Sequence, residues 1–223
     1  MNEFLYNKEI ICPVCSKKFN VTKIRSKGLK VASRDTDFCV SYEGINPLCY
    51  DVWVCENCGY AAQADKFEEI NERDATAIKQ KLSPKWKKRS FNGERDIDIA
   101  IETFKLVLLN LQFKGAKSSE FAKVCLRIAW LYRLKNDEKE MEFLKFALKY
   151  YSDTYEKERF PVDKLDENTC LYMIGELNRR VGNYNEAVKW LSRLISSPDA
   201  RRNPALIETA RDQFQLVKEK LGS

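Results

Sequence analysis

The amino-acid sequence predicts a mainly α-helical protein that begins with a small, β-rich, cysteine-containing domain. Four of the eight cysteines form two Cys-x-x-Cys pairs near the N-terminus, and short runs of β-forming residues surround them. Beyond about residue 67, apolar residues recur at spacings of three and four, which indicates helices. We therefore divide the chain into a zinc-ribbon-like four-cysteine domain (1–66), a helix with a basic linker (67–93) and a helical repeat domain (94–223).

Composition and charge narrow the classes of function. With 44% hydrophobic and 32% charged residues, the 223-residue chain is typical of globular proteins, and its net charge of +6 permits contact with nucleic acid without requiring it. The sequence contains no histidine, which excludes Ser-His and Cys-His nucleophile pairs and histidine-based metallohydrolase motifs. Met1–Ile11 lacks the apolar run of a signal peptide, and Ile97–Phe113 is too short and too charged to span a membrane. We therefore expect a cytoplasmic protein.

The first 66 residues contain three short runs that predict β-strands. These runs are Leu29–Ala32, Phe38–Tyr42 and Val52–Val54. The turn signals that separate them are Gly28, Gly44, Asn46-Pro47 and Gly59. Because 39 residues separate the two Cys-x-x-Cys pairs, we expect an inserted hairpin to fill the gap.

Cys12-Pro-Val-Cys15 and Cys55-Glu-Asn-Cys58 each have the pattern of a zinc knuckle, in which two thiolates point from a tight turn at one ion. Two knuckles supply four sulfurs, the tetrahedral closed shell of structural zinc. The predicted ligands of a structural Zn²⁺ are therefore Cys12, Cys15, Cys55 and Cys58. A closed shell leaves no position for water or substrate, so we expect the metal to act as a scaffold. A thiol-redox pair and an iron–sulfur cluster remain alternatives.

The other four cysteines give a weaker signal. Cys39 and Cys49 lie in the predicted insert, where they are surplus ligands, a labile thiol pair or packing residues. Cys125 and Cys170 lie on apolar helix stripes and are predicted to be core residues.

Two carboxylates, Asp35 and Asp37, also lie in the insert, within the run Arg34-Asp35-Thr36-Asp37-Phe38. Such a pair either acts on a substrate or a hard cation, or forms a turn that caps backbone amides. Both interpretations stay open on the sequence alone.

The remainder of the chain predicts a series of helices with recognisable ends. Three helices are predicted first: Phe67–Leu82, stopped by Ser83-Pro84; Asp96–Phe113, stopped by Gly115; and a helix that begins at Ser119. The later helices are predicted from their starts, which are a capping box at Asp137–Glu140, Asp166 or Thr169, a second capping box at Asn183–Glu186, and Asn203 as the N-cap before Pro204.

Several of these helices are predicted to form antiparallel pairs. From Leu171 to Pro198, small Gly175 falls in mid-helix and Gly182 at the turn, a pattern that resembles the tetratricopeptide repeat. A weaker copy, Cys125–Leu148, has Asn136 in place of the turn glycine. The last helix would cap the final repeat. An irregular helical bundle is the alternative.

The N-terminal motifs also resemble a known family. The residues that carry the resemblance are Cys12-Pro13-Val14-Cys15, Asp35-Thr36-Asp37-Phe38, Tyr42, Asn46-Pro47, Tyr50, Cys55 and Cys58-Gly59-Tyr60-Ala61-Ala62. With the helical segment that follows, this pattern resembles the bacterial family catalogued as domain of unknown function 2225. The resemblance implies a metal-binding head and an interaction domain, and it implies no enzymatic activity.

Three hypotheses of function follow. The first is a non-enzymatic, zinc-binding adaptor whose helical-repeat surface binds a protein or peptide partner, away from membranes. The second is nucleic-acid binding, with Trp86 stacking on a base among the cations of Pro84–Arg89, although Trp86 packed on the helices is the alternative. The third is an enzyme, thiol-redox through Cys39 and Cys49 or hydrolytic through Asp35 and Asp37. We predict that the protein is not an enzyme.

Overall fold

The computed structural model describes residues 3–27 and 29–222. Within these residues the chain forms seven α-helices and six short strands, and the strands pair as three antiparallel hairpins in the N-terminal part. The predicted fold class, mainly helical with a small β-rich N-terminal region, is confirmed. The chain groups into two compact units: Met1–Arg34, Val40–Ala116 and Trp130–Asp137 form the first, and Asp35–Cys39, Lys117–Ala129 and Glu138–Ser223 form the second. The division into three consecutive segments stays a prediction.

The strands of the first unit are short and locally paired. The hairpins are β1 (Leu5–Ile11) with β2 (Lys18–Ile24), β3 (Lys30–Arg34) with β4 (Val40–Glu43), and β5 (Val52–Val54) with β6 (Ala61–Gln63). The prediction for Val52–Val54 is confirmed, and the β3–β4 hairpin fills the gap between the cysteine pairs. β1, β2 and β6 were not predicted; in β1 the run Asn7-Lys8-Glu9 interrupts the apolar alternation, and β6 is only three residues long. Gly28 lies outside the described residues.

Two helices belong to the first unit. α1 (Glu72–Lys81) begins five residues after the predicted start, because Asn71 caps it by accepting a hydrogen bond from the amide of Asp74 at 2.9 Å. Phe67 was predicted to lie in this helix; it lies before α1, and its side chain is fully buried in the core around the cysteines. α2 (Ile97–Lys114) matches its prediction, and Gly115 ends it with φ of +62°.

The second unit is helical. Its helices are the first part of α3 (Ser118–Leu134), then α4 (Lys139–Lys157), α5 (Glu167–Arg180), α6 (Tyr184–Ile195) and α7 (Pro204–Gly222). Asp166 and Asn203 cap α5 and α7 as predicted. The capping box at Asp137 is wrong, because α4 begins later, with Glu138 at the N-cap. Asn183 occupies the N-cap of α6, but its side chain makes no capping bond and its amide donates to Asn178 instead.

Neighbouring helices of the second unit, α4 to α7, pack pairwise in sequence order. Gly175 allows the close approach of α5 and α6, because a Cβ there would lie 2.8 Å from side-chain atoms of Leu191. Gly182, in the turn between them, has the left-handed conformation that its position predicts, with φ of +84°. Asn136, which takes the equivalent position between α3 and α4, has φ of +53°. In residues 3–27 and 29–222, no helix has the length and apolarity needed to cross a membrane.

Candidate metal centre

The two Cys-x-x-Cys turns, knuckle 1 (residues 12–17) and knuckle 2 (residues 55–60), share one backbone design. In knuckle 1, the amide of Ser16 donates to the carbonyl of Cys12 at 2.8 Å, and the amide of Cys12 donates to the carbonyl of Lys17 at 3.0 Å. In knuckle 2, the amide of Gly59 donates to the carbonyl of Cys55 at 2.9 Å, and the amide of Cys55 donates to the carbonyl of Tyr60 at 2.8 Å. Each turn is therefore closed by two backbone hydrogen bonds that position its pair of thiols.

Both knuckles need one residue in the left-handed conformation, at the position after the second cysteine. Ser16 has φ of +58° and Gly59 has φ of +78°. The sequence marks Gly59 as a turn residue, and glycine adopts positive φ without a steric cost. The structure adds a second constraint, because a Cβ at Gly59 would lie 2.6 Å from ring atoms of Trp86. Knuckle 2 therefore requires glycine for two reasons, whereas knuckle 1 holds a serine in a conformation that costs about 1–2 kcal/mol.

The four predicted ligand residues come together. The Sγ atoms of Cys12, Cys15, Cys55 and Cys58 all lie within 4.8 Å of one another. Cys12 and Cys58 are 3.6 Å apart, and Cys15 and Cys55 are 3.7 Å apart. A tetrahedral ion with metal–sulfur bonds of about 2.3 Å requires sulfur–sulfur distances of about 3.8 Å. All eight cysteines lie within the described residues and none forms a disulfide, so the donor set fits a metal ion.

The thiols of the cluster influence one another's ionisation. Hydrogen bonds from the thiols of Cys12 and Cys58, followed by those from the backbone amides of Asn57 and Cys58, hold the pKa of Cys55 far below its ordinary value. Hydrogen bonding within the cluster, led by Cys55 for Cys12 and by Cys12 for Cys58, raises the pKa of both thiols. One thiolate therefore forms readily, and the others ionise when a cation supplies the compensating charge.

The cluster is enclosed by the core of the first unit. Cys12 and Cys55 are fully buried, Cys58 is nearly so, and Cys15 is partly buried. The surrounding core includes Ile10, Val14, Phe19, Val21, Trp53, Tyr60, Phe67, Ala75, Ile78 and Leu82. The hydroxyl of Tyr60 donates to the carbonyl of Phe67 at 3.0 Å, which satisfies it inside this core. Three of the four thiols thus belong to the buried core, and Cys15 is packed against it.

The basic linker contacts knuckle 2. The Trp86 indole donates to the carbonyl of Glu56 at 2.8 Å, and its ring lies against Gly59. Arg89 forms a two-point ion pair with Glu102 of α2, at 2.5 and 2.7 Å. Trp86 is therefore packed, as the alternative interpretation expects, but these contacts are with knuckle 2 rather than with the helices, and stacking on a base would require the indole to leave this position.

The remaining cysteines are buried. Burial raises the pKa of Cys49 to about 11 and the pKa values of Cys125 and Cys170 to about 12. Cys39, 5% exposed, belongs to the second unit, whereas Cys49 belongs to the first. Neutral, buried thiols are poor nucleophiles, which favours the packing interpretation of Cys49, Cys125 and Cys170.

The two carboxylates of the insert form the predicted turn. Asp35 accepts a hydrogen bond from the amide of Thr36 at 2.7 Å, and Asp37 accepts one from the amide of Cys39 at 3.3 Å. Both carboxylates also pair with Arg180 of α5, at 2.5 Å for Asp35 and 3.6 Å for Asp37. The sequence analysis missed Arg180, whose only signal is the spacing of Glu176, Arg179 and Arg180 on one helix face.

Comparison with known proteins supports the resemblance seen in the sequence. No curated protein and no solved structure matches the chain significantly. Residues 5–217 match the family described as "Uncharacterized protein conserved in bacteria (DUF2225)", so the match includes both knuckles and all seven helices except the end of α7. The chain therefore belongs to the bacterial DUF2225 family.

Proposed function

We propose that the protein is a non-enzymatic adaptor, in which a structural zinc ion holds the N-terminal region together and the helical surface binds a protein or peptide partner. The observation that carries the proposal is the cluster of four cysteine sulfurs within 4.8 Å of one another, three of them from fully or nearly buried residues of a core. Four thiolates would complete the shell of a tetrahedral ion, which suits a metal that cross-links the fold and leaves no position for water or substrate.

Zinc is the metal that the donor set favours. The ligands are four thiolates from two knuckles, the usual donor set of structural zinc, and the sequence has no histidine to offer. When bound, the ion would join two turns that are far apart in the chain and neutralise the charge of their thiolates. Cytoplasmic location is part of this proposal, since a reducing compartment keeps the eight cysteines available as thiols.

The helix pairs of the second unit support the interaction role. α5 and α6 pack closely at Gly175, and α6 and α7 continue the stack, as in tetratricopeptide-like repeats. Beside them lies a cavity of about 360 Å³, lined by Arg179, Tyr184, Leu216, Val217, Glu219 and Lys220. Leu216 is 49% exposed at this cavity, so the surface combines apolar and charged groups, as partner-binding surfaces do.

A non-enzymatic role agrees with the side chains available. The carboxylates considered for hydrolysis, Asp35 and Asp37, are engaged with Arg180, and the thiol of Cys49 is buried and neutral. No acid, base and nucleophile set remains among these candidates from which to name a reaction.

Two measurements test the proposal. The first is metal content by mass spectrometry of the native protein, with one zinc per chain expected; iron, or no metal, would overturn the structural-zinc role. The second is affinity capture from the native bacterial cytoplasm, in which we expect a specific partner that is retained at moderate salt. If the captured set equals the background, the adaptor role is wrong even where zinc is present.

A further inference from the structure

The hairpin tip, residues 35–38 between β3 and β4, lies against one face of α5. The tip belongs to the second compact unit, although the strands that carry it belong to the first. Its contacts on α5 come from Tyr172, Glu176, Arg179 and Arg180, which lie on one face of the helix at spacings of three and four.

Thr36 makes the densest set of contacts. Its hydroxyl donates to Glu176 Oε1 at 2.6 Å and accepts from Arg180 Nη2 at 2.9 Å, so both roles of the hydroxyl are used. Its backbone carbonyl accepts from the Tyr172 hydroxyl at 2.8 Å. Valine would have the same shape as threonine and could make neither side-chain bond. The face of α5 therefore recognises the hydroxyl chemically.

The flanking residues add charge and an aromatic contact. Asp35 and Asp37 pair with Arg180, whose side chain is only 14% exposed. The Phe38 ring lies 5.4 Å from the Tyr172 ring, in a tilted arrangement. Arg180 thus contacts both acidic residues and the hydroxyl, and Tyr172 contacts the aromatic ring.

The face of α5 is organised by its own ion pairs. Glu176 is fully buried and accepts from Arg179 Nε and Arg180 Nε, each at 2.7 Å. These bonds fix both guanidinium groups and leave Nη2 of Arg180 directed at the tip, where it meets Asp35 and Thr36. With two arginines and one glutamate, the face carries an excess positive charge that suits an acidic segment.

We propose that this face of α5 is a binding site for an acidic Asp-Thr-Asp-Phe-like segment of a partner protein, and that residues 35–38 occupy it when the partner is absent. The proposal rests on the proposed adaptor function and names the partner's chemistry. β3, which carries the tip, is exposed along all five of its residues, and a two-stranded hairpin is marginally stable by itself. Asp37 of the tip is fully buried, so a partner must compete with the contacts of the tip to displace it.

Direct peptide binding tests the proposal. The probe is a fluorescent peptide with the sequence of residues 33–40, in which serine replaces the cysteine, measured by anisotropy with the full-length protein. We expect weak binding to the wild type, because the tethered tip competes at an effective concentration of about millimolar. Thr36→Ala removes two bonds of the competing tip and should tighten peptide binding by about tenfold or more.

Matched variants locate the site. Adding Arg180→Ala to Thr36→Ala should abolish binding, whereas adding Arg159→Ala, at an exposed arginine, should leave it unchanged. Ser33→Ala, at an exposed position of the same hairpin, should bind the peptide as weakly as the wild type. Equal binding by the Arg180→Ala and Arg159→Ala variants, or no binding by a folded Thr36→Ala protein, would overturn the proposal.

A second measurement uses the wild type, and so does not depend on how the variants fold. A peptide with a photo-cross-linking benzophenone at the phenylalanine position, added at millimolar concentration, should label α5 near Tyr172. Absence of label on α5 would overturn the proposal. The failure of this site can be distinguished from the failure of the adaptor function. If a native partner is captured equally by Thr36→Ala proteins with and without Arg180→Ala, the site is disproved and the adaptor role stays intact.

Discussion

The two compact units reach stability in different ways. The core of the first unit contains three of the four clustered cysteines among its buried residues, together with a few large aromatic rings. The second unit buries aliphatic and aromatic helix faces, and within the described residues its cysteines form no such cluster. The first core thus includes a cluster of thiols that could hold a metal ion, whereas the second core is built from packed helix faces.

This difference teaches that the two units should respond to different perturbations. If a cation binds the four thiolates as proposed, its removal should destabilise the core that surrounds them. Packed helices depend instead on shape, and the sensitive points are those where backbones approach closely. Each prediction below perturbs one unit and uses the other as an internal reference.

The largest effect is expected from losing the metal ligands. Changing Cys12 and Cys15 to serine, or Cys55 and Cys58 to serine, should abolish metal binding, because zinc binding at such sites contributes on the order of 10 kcal/mol. Hydrogen exchange measured by mass spectrometry should then show loss of protection in β1, β2, β5 and β6, while α5 and α6 stay protected. Cys125→Ala is the matched control and should retain the metal. Equal loss of protection in both units would contradict the comparison.

A smaller effect on the first unit is expected from Arg95. This arginine is 9% exposed and donates to the carbonyls of Phe91, Cys49 and Val52, and burial lowers its pKa to about 10. Arg95→Met would leave these carbonyls without a donor, and we expect the free energy of unfolding to fall by about 3 kcal/mol. Urea denaturation measures the change, with Arg73→Met, at an exposed position of α1, as a control expected to be near neutral. A near-neutral Arg95→Met protein would refute the structural role.

Gly175→Ala should destabilise the second unit and leave the metal bound. The new Cβ would lie 2.8 Å from Leu191 Cγ and 3.3 Å from its backbone nitrogen, so α6 must shift. Overpacking of this kind costs about 1–3 kcal/mol, more than the gain in helix propensity of about 1 kcal/mol. In contrast, Gly222→Ala has open space around it and should be neutral or slightly stabilising. Thermal melting and metal content together check both parts of this prediction.

Alkaline pH should weaken the second unit through its buried thiols. Burial raises the pKa of Cys170 from 9.0 to about 12. As pH rises above 9.0, the thiol therefore ionises in the unfolded chain first, and the unfolding free energy falls until pH reaches about 12. The expected slope from this group is about 1.4 kcal/mol per pH unit. Urea denaturation at several alkaline pH values gives the unfolding free energy as a function of pH. This free energy should fall less steeply with pH in Cys170→Ala than in the control Ser33→Ala, and an equal fall in both would refute the assignment.

The smallest effect should come from placing glycine after the second cysteine in both knuckles. Ser16→Gly in knuckle 1 removes the cost of a left-handed serine and should stabilise the first unit by about 1 kcal/mol or less. The reciprocal change, Gly59→Ser in knuckle 2, should destabilise it by more, because its side chain would also collide with Trp86. Thermal melting of the zinc-loaded proteins compares the two, and effects of equal size and sign would contradict the role assigned to Trp86.

The sequence predicted those features that depend on local chemistry. Gly59, Gly115 and Gly182 were identifiable because tight turns and helix ends need positive φ, and the structure confirms all three conformations. The bounds of α2 followed from Asp96 and Gly115, one at each end. The four clustered cysteines were identifiable because knuckles have a fixed spacing and two of them complete a tetrahedron.

What the sequence missed depends on residues far apart in the chain. β1 has three successive exposed polar residues, Asn7-Lys8-Glu9, so its pairing with β2 is not visible as a continuous alternation in the sequence. Phe67 resembles the start of a helix, yet it is buried against Phe19, Trp53 and Tyr60. The pairing of Asp35 with Arg180 spans 145 positions, and no periodicity in a single sequence reveals it.

The hairpin tip has a consequence for how this protein can be divided or inherited. The second unit, as the structure groups it, includes residues 35–39, which lie more than seventy positions before Lys117, where the unit resumes. A fragment cut at any single peptide bond would therefore either lack the tip or include most of the first unit. By the same reasoning, one uninterrupted exchange between genes could not transfer the second unit with its tip without also transferring most of the first unit.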